Sequence, residues 1–115
     1  MQQTIPPAKI PPGSVAVIFM SKRNDSDGYD EAVADMRLAA ERFPGYVGLW
    51  SARGADGVGI TVSYWANDAA ALAWKADPGH AAIREEGRDK WYDWYEMTIA
   101  QVTRGYGWKK PGNAV

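Results

Sequence analysis

The sequence predicts an α+β fold of the ferredoxin-like split βαβ kind, a four-stranded antiparallel sheet with helices on one face. Three observations carry that expectation. Strand-like and helix-like stretches follow one another as β-α-β-β-α-(α)-β, the element order of that architecture. Asp56 and Gly57 lie between two strand-like runs and read as a hairpin turn. At 115 residues the chain has room for one core and not two.

Residues 1–13 hold Pro6, Pro7, Pro11 and Pro12, too dense for a helix or a central strand, and read as an extended arm before a domain spanning 14–108. The run 14–21 is β-branched and almost wholly apolar, a buried strand, and the polar stretch 22–28 reads as a loop. Over 29–43 the spacing of Tyr29, Val33, Met36, Ala40 and Phe43 predicts an amphipathic helix, capped by Ser26 or Asp27 and stopped by Pro44 and Gly45. Strands follow at 46–53 and 58–65. Gly48 and Gly59 inside them suggest a bulge or a group packed close to the backbone, or else a tolerated crease.

Asn67 suits the cap of a helix over 68–76, whose alanine-rich sequence is apolar nearly all round, so little of it is expected to face water. Asp77 and Pro78 restart the chain as cap and first residue of a third helix running to about Lys90. The last strand is expected over 92–106. A change of parity between Ile99 and Val102 places a bulge near Ala100 or Gln101, and 109–115 reads as a tail.

Composition bounds the chemistry. With 46% hydrophobic and 23% charged residues the chain is that of a soluble globular domain. A net charge of −1 with no basic block argues against a nucleic-acid partner. The lack of cysteine excludes disulfides, thiolate nucleophiles and iron–sulfur ligation, and is compatible with a reducing cytoplasm. With one histidine, no multi-histidine metal site can form within one chain, and no metal is expected. No apolar run nears the ~20 residues of a membrane span, and the N-terminus lacks the regions of a signal peptide. The expectation is a cytoplasmic protein with no membrane partner. Six Trp and six Tyr build a bulky core, and they also make walls for a flat organic ligand.

The stretch 63–80 gathers Trp65 at a strand end, Trp74 near a helix end and His80, the only imidazole. His80 falls in the first turn of the third helix, where the positive end of the helix dipole disfavours its cation and leaves a neutral, base-competent ring. It reads as a catalytic base or, equally simply, as a satisfied structural residue. Trp65 and Trp74 read as walls of a substrate slot or as plain core. The charges at Arg84, Glu85, Glu86, Arg88, Asp89 and Lys90 read as a solvated helix surface. Val15, Val17, Phe19, Val62 and Tyr64 put apolar groups on both faces of the sheet, and one helix layer hides only one of them. A second copy of the chain, sheet against sheet, is the simplest cover.

The segments Phe-Pro-Gly-Tyr-Val-Gly (43–48), Asp-Gly-Val-Gly-Ile-Thr-Val-Ser-Tyr-Trp (56–65), Ala-Trp-Lys-Ala (73–76) with His80, and Trp-Tyr-Asp-Trp-Tyr (91–95) resemble the antibiotic biosynthesis monooxygenase (ABM) family across 14–108. The resemblance implies a dimeric α/β barrel of two ferredoxin-like subunits. The family it resembles includes cofactor-independent oxygenases acting on phenolic polycycles, haem-degrading monooxygenases and many members of unassigned role. The haem-degrading branch uses an Asn on the first strand, a Trp on the second helix and a His just beyond. Trp74 matches that Trp, and His80 lies closer to it in sequence than the branch spaces its His. The first strand offers no Asn, and Asn24 falls after it.

A cofactor-free oxygenase needs a base near neutrality, a dry aromatic slot and a group to stabilise an anion. His80 would supply the base, Trp65 and Trp74 the slot, and Tyr64 or Tyr95 a proton donor, although both tyrosines also suit packing at a dimer face. The expectation is therefore a small homodimeric monooxygenase acting on a flat phenolic, quinol or anthrone-like aromatic with O2 and no cofactor. The alternatives are a haem-binding or haem-degrading protein with His80 on the iron, and a non-catalytic small-molecule-binding dimer.

Overall fold

The apolar run that begins at Val15 forms strand β1 (Val15–Arg23), longer than expected because Lys22 and Arg23 still pair, with Val58 and Tyr92 on either side. The computed structural model describes residues 10–24 and 27–112. After β1 come α1 (Tyr29–Glu41), the hairpin of β2 (Tyr46–Arg53) and β3 (Val58–Trp65), α2 (Asp68–Ala76), α3 (Pro78–Glu86), a π-helical turn (Gly87–Trp91) and β4 (Tyr92–Gln101). The strands form one antiparallel sheet in the order β2-β3-β1-β4, the split βαβ arrangement the element order predicts.

Cross-strand pairing fixes the two faces, because residues opposite each other project to the same side. Val15 pairs with Trp65 and Val17 with Ser63, so Val15, Val17 and Trp65 share the face that packs with Ala40, Ala71 and Trp74 from the helices. Met36, Phe43 and Tyr46 complete this core, as the helical spacing in 29–43 predicts. The other face carries Ile18, Met20, Ile60, Val62, Tyr64 and Trp94. Met20, Ile60 and Trp94 are each about two-fifths exposed there, at 41%, 40% and 43%.

Several local expectations are corrected. The cap of α1 is Gly28, in a left-handed conformation and with no side-chain bond; Asp27 instead offers its carbonyl to Trp91 Nε1 at 3.0 Å, and Ser26 lies outside the described residues. The third helix stops at Glu86 and loosens into the π turn, where buried Gly87 admits the Tyr92 ring: an added Cβ would lie 2.7 Å from Tyr92 Cε2. Only Ala71 and Trp74 of α2 are buried, and Leu72 is 57% exposed, since a helix made mostly of alanine gains little by hiding every side.

The bulge expected near Ala100 is absent. Pairing with β1 runs unbroken from Trp94 to Gln101, and β4 ends there, five residues short of Tyr106. Beyond it Val102 exchanges backbone hydrogen bonds with Gly13 and Ser14, and among the described residues no helix or strand follows. The register shifts fall elsewhere. Asp93 is extra between Tyr92 and Trp94, which sets Tyr92 and Tyr95 on the helix side together. Val47 is extra between Tyr46 and Gly48, which turns Tyr46 toward Trp65 while Gly48, Trp50 and Ala52 face the open side.

Gly48 thus marks a bulge, and Gly59 marks a close approach. The Arg53 guanidinium lies on Gly59, so that an added Cβ would sit 2.7 Å from Arg53 Cζ. From there Arg53 donates to the Ser21 carbonyl at 3.1 Å, to Ser21 Oγ at 2.9 Å, to the Tyr29 hydroxyl at 3.0 Å and to the Gly57 carbonyl. One side chain ties the hairpin to β1 and α1. Gly59→Ala is expected to lift Arg53 off these partners and cost about 1–3 kcal/mol in urea unfolding; a midpoint equal to wild type would show that the clasp relaxes freely.

Candidate active site

Two short helix starts build the site. Asn67 caps α2, its Oδ1 accepting from Ala70 N at 2.9 Å, and so brings Trp74 over Trp65 at the end of β3. Asp77 then caps α3, its Oδ2 accepting from His80 N at 3.1 Å, with Pro78 in the first turn. His80 therefore sits one turn past the break, and its ring falls back on Trp74. The three rings stack in series. Trp65 and Trp74 have centroids 5.6 Å apart and planes 23° apart; Trp74 and His80 are 4.6 Å and 11° apart.

His80 Nδ1 lies 3.1 Å from the Trp74 carbonyl oxygen. A carbonyl only accepts, so Nδ1 carries the proton and Nε2 keeps its lone pair. Burial pushes the His80 pKa below the ordinary histidine value, and the positive charge of Arg84 adds to that. The Trp74 carbonyl and Asp77 pull the other way and do not reverse the direction. The imidazole is thus neutral at pH 7, the state expected from its helix position, with loss of solvent as the leading cause. A neutral, oriented imidazole with a free Nε2 can take a proton from a weak acid.

The expected site residues are only partly united. His80, Trp74 and Trp65 form one stack, although Trp65 is wholly buried and is in contact with Phe43 and Tyr46, so its part in that stack is core. Tyr95 lies on the same face of the sheet, further along, against Phe19 at 5.2 Å. Tyr64 lies on the opposite face and is separated from His80 by the sheet. A groove of about 330 Å³ opens between the start of α2 and the end of β4, lined among others by Asn67, Asp68, Ile99 and by Val15 of the Trp65 cluster.

Two features escaped the sequence reading. Arg88, one of the charges that read as a solvated helix surface, donates from Nε to the Tyr95 hydroxyl at 2.7 Å as well as pairing with Glu85 at 3.3 Å. Arg53 stands between Ser21 and Tyr29; Gly59, directly across the hairpin from it, was the available signal. Burial raises the Tyr92 pKa far above the ordinary tyrosine value, with neighbouring Tyr29 adding to it, so Tyr92 stays protonated and serves as packing.

Haem degradation fits these residues poorly. The helix-facing positions of β1 are Val15, Val17, Phe19, Ser21 and Arg23, and the Ser21 hydroxyl is already taken by Arg53. None supplies the amide that this chemistry places on the first strand. Among the described residues no helix is long and apolar enough to cross a membrane.

No family model matches the chain. It is 43% identical over 94 residues to the uncharacterized protein YqjZ of Bacillus subtilis, covering 81% of this chain and 82% of that one. SnoaB, a cofactor-independent oxygenase from Streptomyces nogalater, superposes with a TM-score of 0.70 at 16% identity, over 81% of this chain and 96% of its own. A candidate antibiotic biosynthesis monooxygenase from Nitrosomonas europaea gives 0.71 at 14% identity, over 85% and 98%. Rv0793 from Mycobacterium tuberculosis gives 0.72 at 13% identity, over 82% and 99%. The chain belongs to the family of YqjZ and has the antibiotic biosynthesis monooxygenase fold.

Proposed function

We propose that the protein is a cofactor-independent monooxygenase that oxidises a flat phenolic, quinol or anthrone-like aromatic with O2, using His80 as general base. The observation that carries this reading is the His80 geometry: Nδ1 tied to the Trp74 carbonyl, Nε2 free, and the ring held neutral by burial. The fold shared with SnoaB supports the oxygenase class.

The chemistry balances without a reductant. His80 Nε2 removes a proton from the activated C–H of an anthrone, and the anion passes an electron to O2. Recombination forms a C–O bond to a hydroperoxide. Loss of the second C–H proton breaks the O–O bond, giving a ketone and water, so anthrone plus O2 becomes anthraquinone plus H2O. The substrate supplies all the electrons. The protein's part is to orient the ring, exclude water and hold the proton at Nε2.

The open sheet face supports a second part of the reading, that two copies pack sheet against sheet. Its exposed Met20, Ile60 and Trp94 are the kind of contiguous apolar surface that self-association hides. Purified, metal-free protein is expected to consume one O2 per anthrone converted and to scatter light as a dimer. No O2 uptake above the uncatalysed rate, across anthrones and quinols, would remove the enzymatic reading; a monomer would remove the dimer.

A further inference from the structure

One face of α3 holds the end of α2. The Trp74 carbonyl accepts from Asp77 N at 3.1 Å and lies 3.1 Å from His80 Nδ1, and the next carbonyl, that of Lys75, accepts from Arg84 Nη1 at 3.2 Å. These are carbonyls that the last turn of a helix leaves without an intrahelical partner. His80 and Arg84 are four residues apart within α3, so their side chains start as neighbours on one helix face, about 5–6 Å apart at Cβ. Both residues are half-buried.

A cation in that place works against a base. Burial does most to keep the imidazole neutral; of the two charged groups acting on the ring, Arg84 opposes protonation and Asp77 favours it. Among the described residues no carboxylate stands within ion-pair distance of Arg84, whereas nearby Arg88 and Lys90 pair with Glu85 and Glu86. The guanidinium therefore brings its full charge to the turn that carries the base. Proton transfer to His80 leaves an imidazolium and a substrate anion side by side, and Arg84 repels the first and attracts the second. Attraction wins when the anion's charge collects on an oxygen within reach of the guanidinium, and it then favours the transition state over the ground state.

We infer that Arg84 is the counter-cation for the anion that His80 creates, and that the substrate is one whose anion gathers on an oxygen, as an enolate or phenolate does. This rests on the oxygenase reading of His80. One helix turn then divides the work: His80 Nε2 removes the proton and Arg84 takes up the charge left behind. The Lys75 carbonyl engages one N–H of the guanidinium and so orients the fork, leaving further N–H groups for the oxyanion.

The single histidine makes the test direct, because one imidazole titrates in proton NMR. Anthracene-9-carboxylate, a flat ring system with a fixed negative charge on oxygen, is expected to raise the His80 pKa on binding. It should bind wild type about tenfold tighter than Arg84→Gln, while the neutral anthracene-9-carboxamide binds the two alike. With anthrone and O2, Arg84→Gln is expected to lose about 10–100-fold in kcat with little change in KM. The loss should appear even though His80, relieved of the neighbouring cation, titrates at higher pH and is the stronger base. Arg84→Lys should recover part of the rate. Gln keeps a donor for the Lys75 carbonyl, and equal melting temperatures separate the loss of rate from unfolding. A residue that only caps α2 predicts the reverse, an Arg84→Gln enzyme as fast as wild type or faster. That result, or equal affinity of wild type and Arg84→Gln for the carboxylate, would overturn the inference while leaving the oxygenase reading intact. A wild type that consumes no O2 would remove the oxygenase reading and the catalytic role of Arg84 with it.

Discussion

Replacing His80 with Gln is expected to lower the rate of anthrone oxidation by about 10²–10⁴-fold, the range a positioned general base supplies. Gln keeps a side-chain amide that can donate to the Trp74 carbonyl, and the cap of α3 uses the backbone N–H of residue 80, so the helix start should persist although the ring stacked on Trp74 is lost. The loss then reports the missing Nε2 lone pair and not a collapsed site. The pH dependence sharpens the test. Because burial lowers the folded-state pKa of His80, the acid limb of kcat/KM should fall below the ordinary histidine value.

Stability follows the same titration. As pH falls through about 6.5, the unfolded imidazole takes up a proton that the folded one resists, so wild type loses stability relative to His80→Gln. The loss grows until the pH passes below the folded-state pKa and then stops growing. Chemical unfolding of both proteins between pH 8 and 5 measures it. A gap that does not change with pH would mean that His80 is no more buried than in the open chain, and the neutral-base argument would fail with it.

Trp65→Ala is expected to cost about 3–5 kcal/mol, the largest stability change of any single substitution considered. Trp65 is 0% exposed and is contacted from three sides by Phe43, Tyr46 and Trp74, with Nε1 donating to Ser63 Oγ at 3.0 Å. Truncation leaves a cavity that Val15 above and the two helices cannot close without abandoning their own contacts. In a domain whose total stability is about 5–15 kcal/mol, that is a large share. Tyr106→Ala, at a residue 99% exposed, should change stability by no more than about 0.5 kcal/mol. Urea midpoints for the two variants make the comparison. Near-equal values would mean that Trp65 does not centre the core.

These two residues also show which parts of the molecule local sequence could reveal. The cap at Asn67 and the restart at Asp77 and Pro78 are chemistry between residues three apart, so the helix starts and the meeting of Trp74 with His80 were readable. The hairpin from Arg53 to Val58 was readable for the same reason. The bulges at Val47 and Asp93 were not. Each exists because a ring, Tyr46 or Tyr92, is wanted by partners far away in sequence, and no local pattern records that demand.

The bulge at Asp93 also explains why the two tyrosine candidates could not be sorted beforehand. Tyr95 reaches the helix side through a register that shifts at Asp93, whereas Tyr64 follows unbroken alternation to the far side. Arg88 was hidden by the π turn. The pitch of an ordinary helix continued to Lys90 gives no reason to join it to a strand residue seven positions on.

The bulge at Val47 has a consequence for life in a crowded solution. β2 is an edge strand, with one row of backbone groups unpaired by any strand of its own sheet. Straight, regular edges invite a neighbour's strand and are a common seed of aggregates. The extra residue breaks the regular spacing of that row close to its start and increases the local twist. The irregularity that delivers Tyr46 to the core therefore also spoils the edge as a template, so colloidal solubility and internal packing are served by one inserted residue.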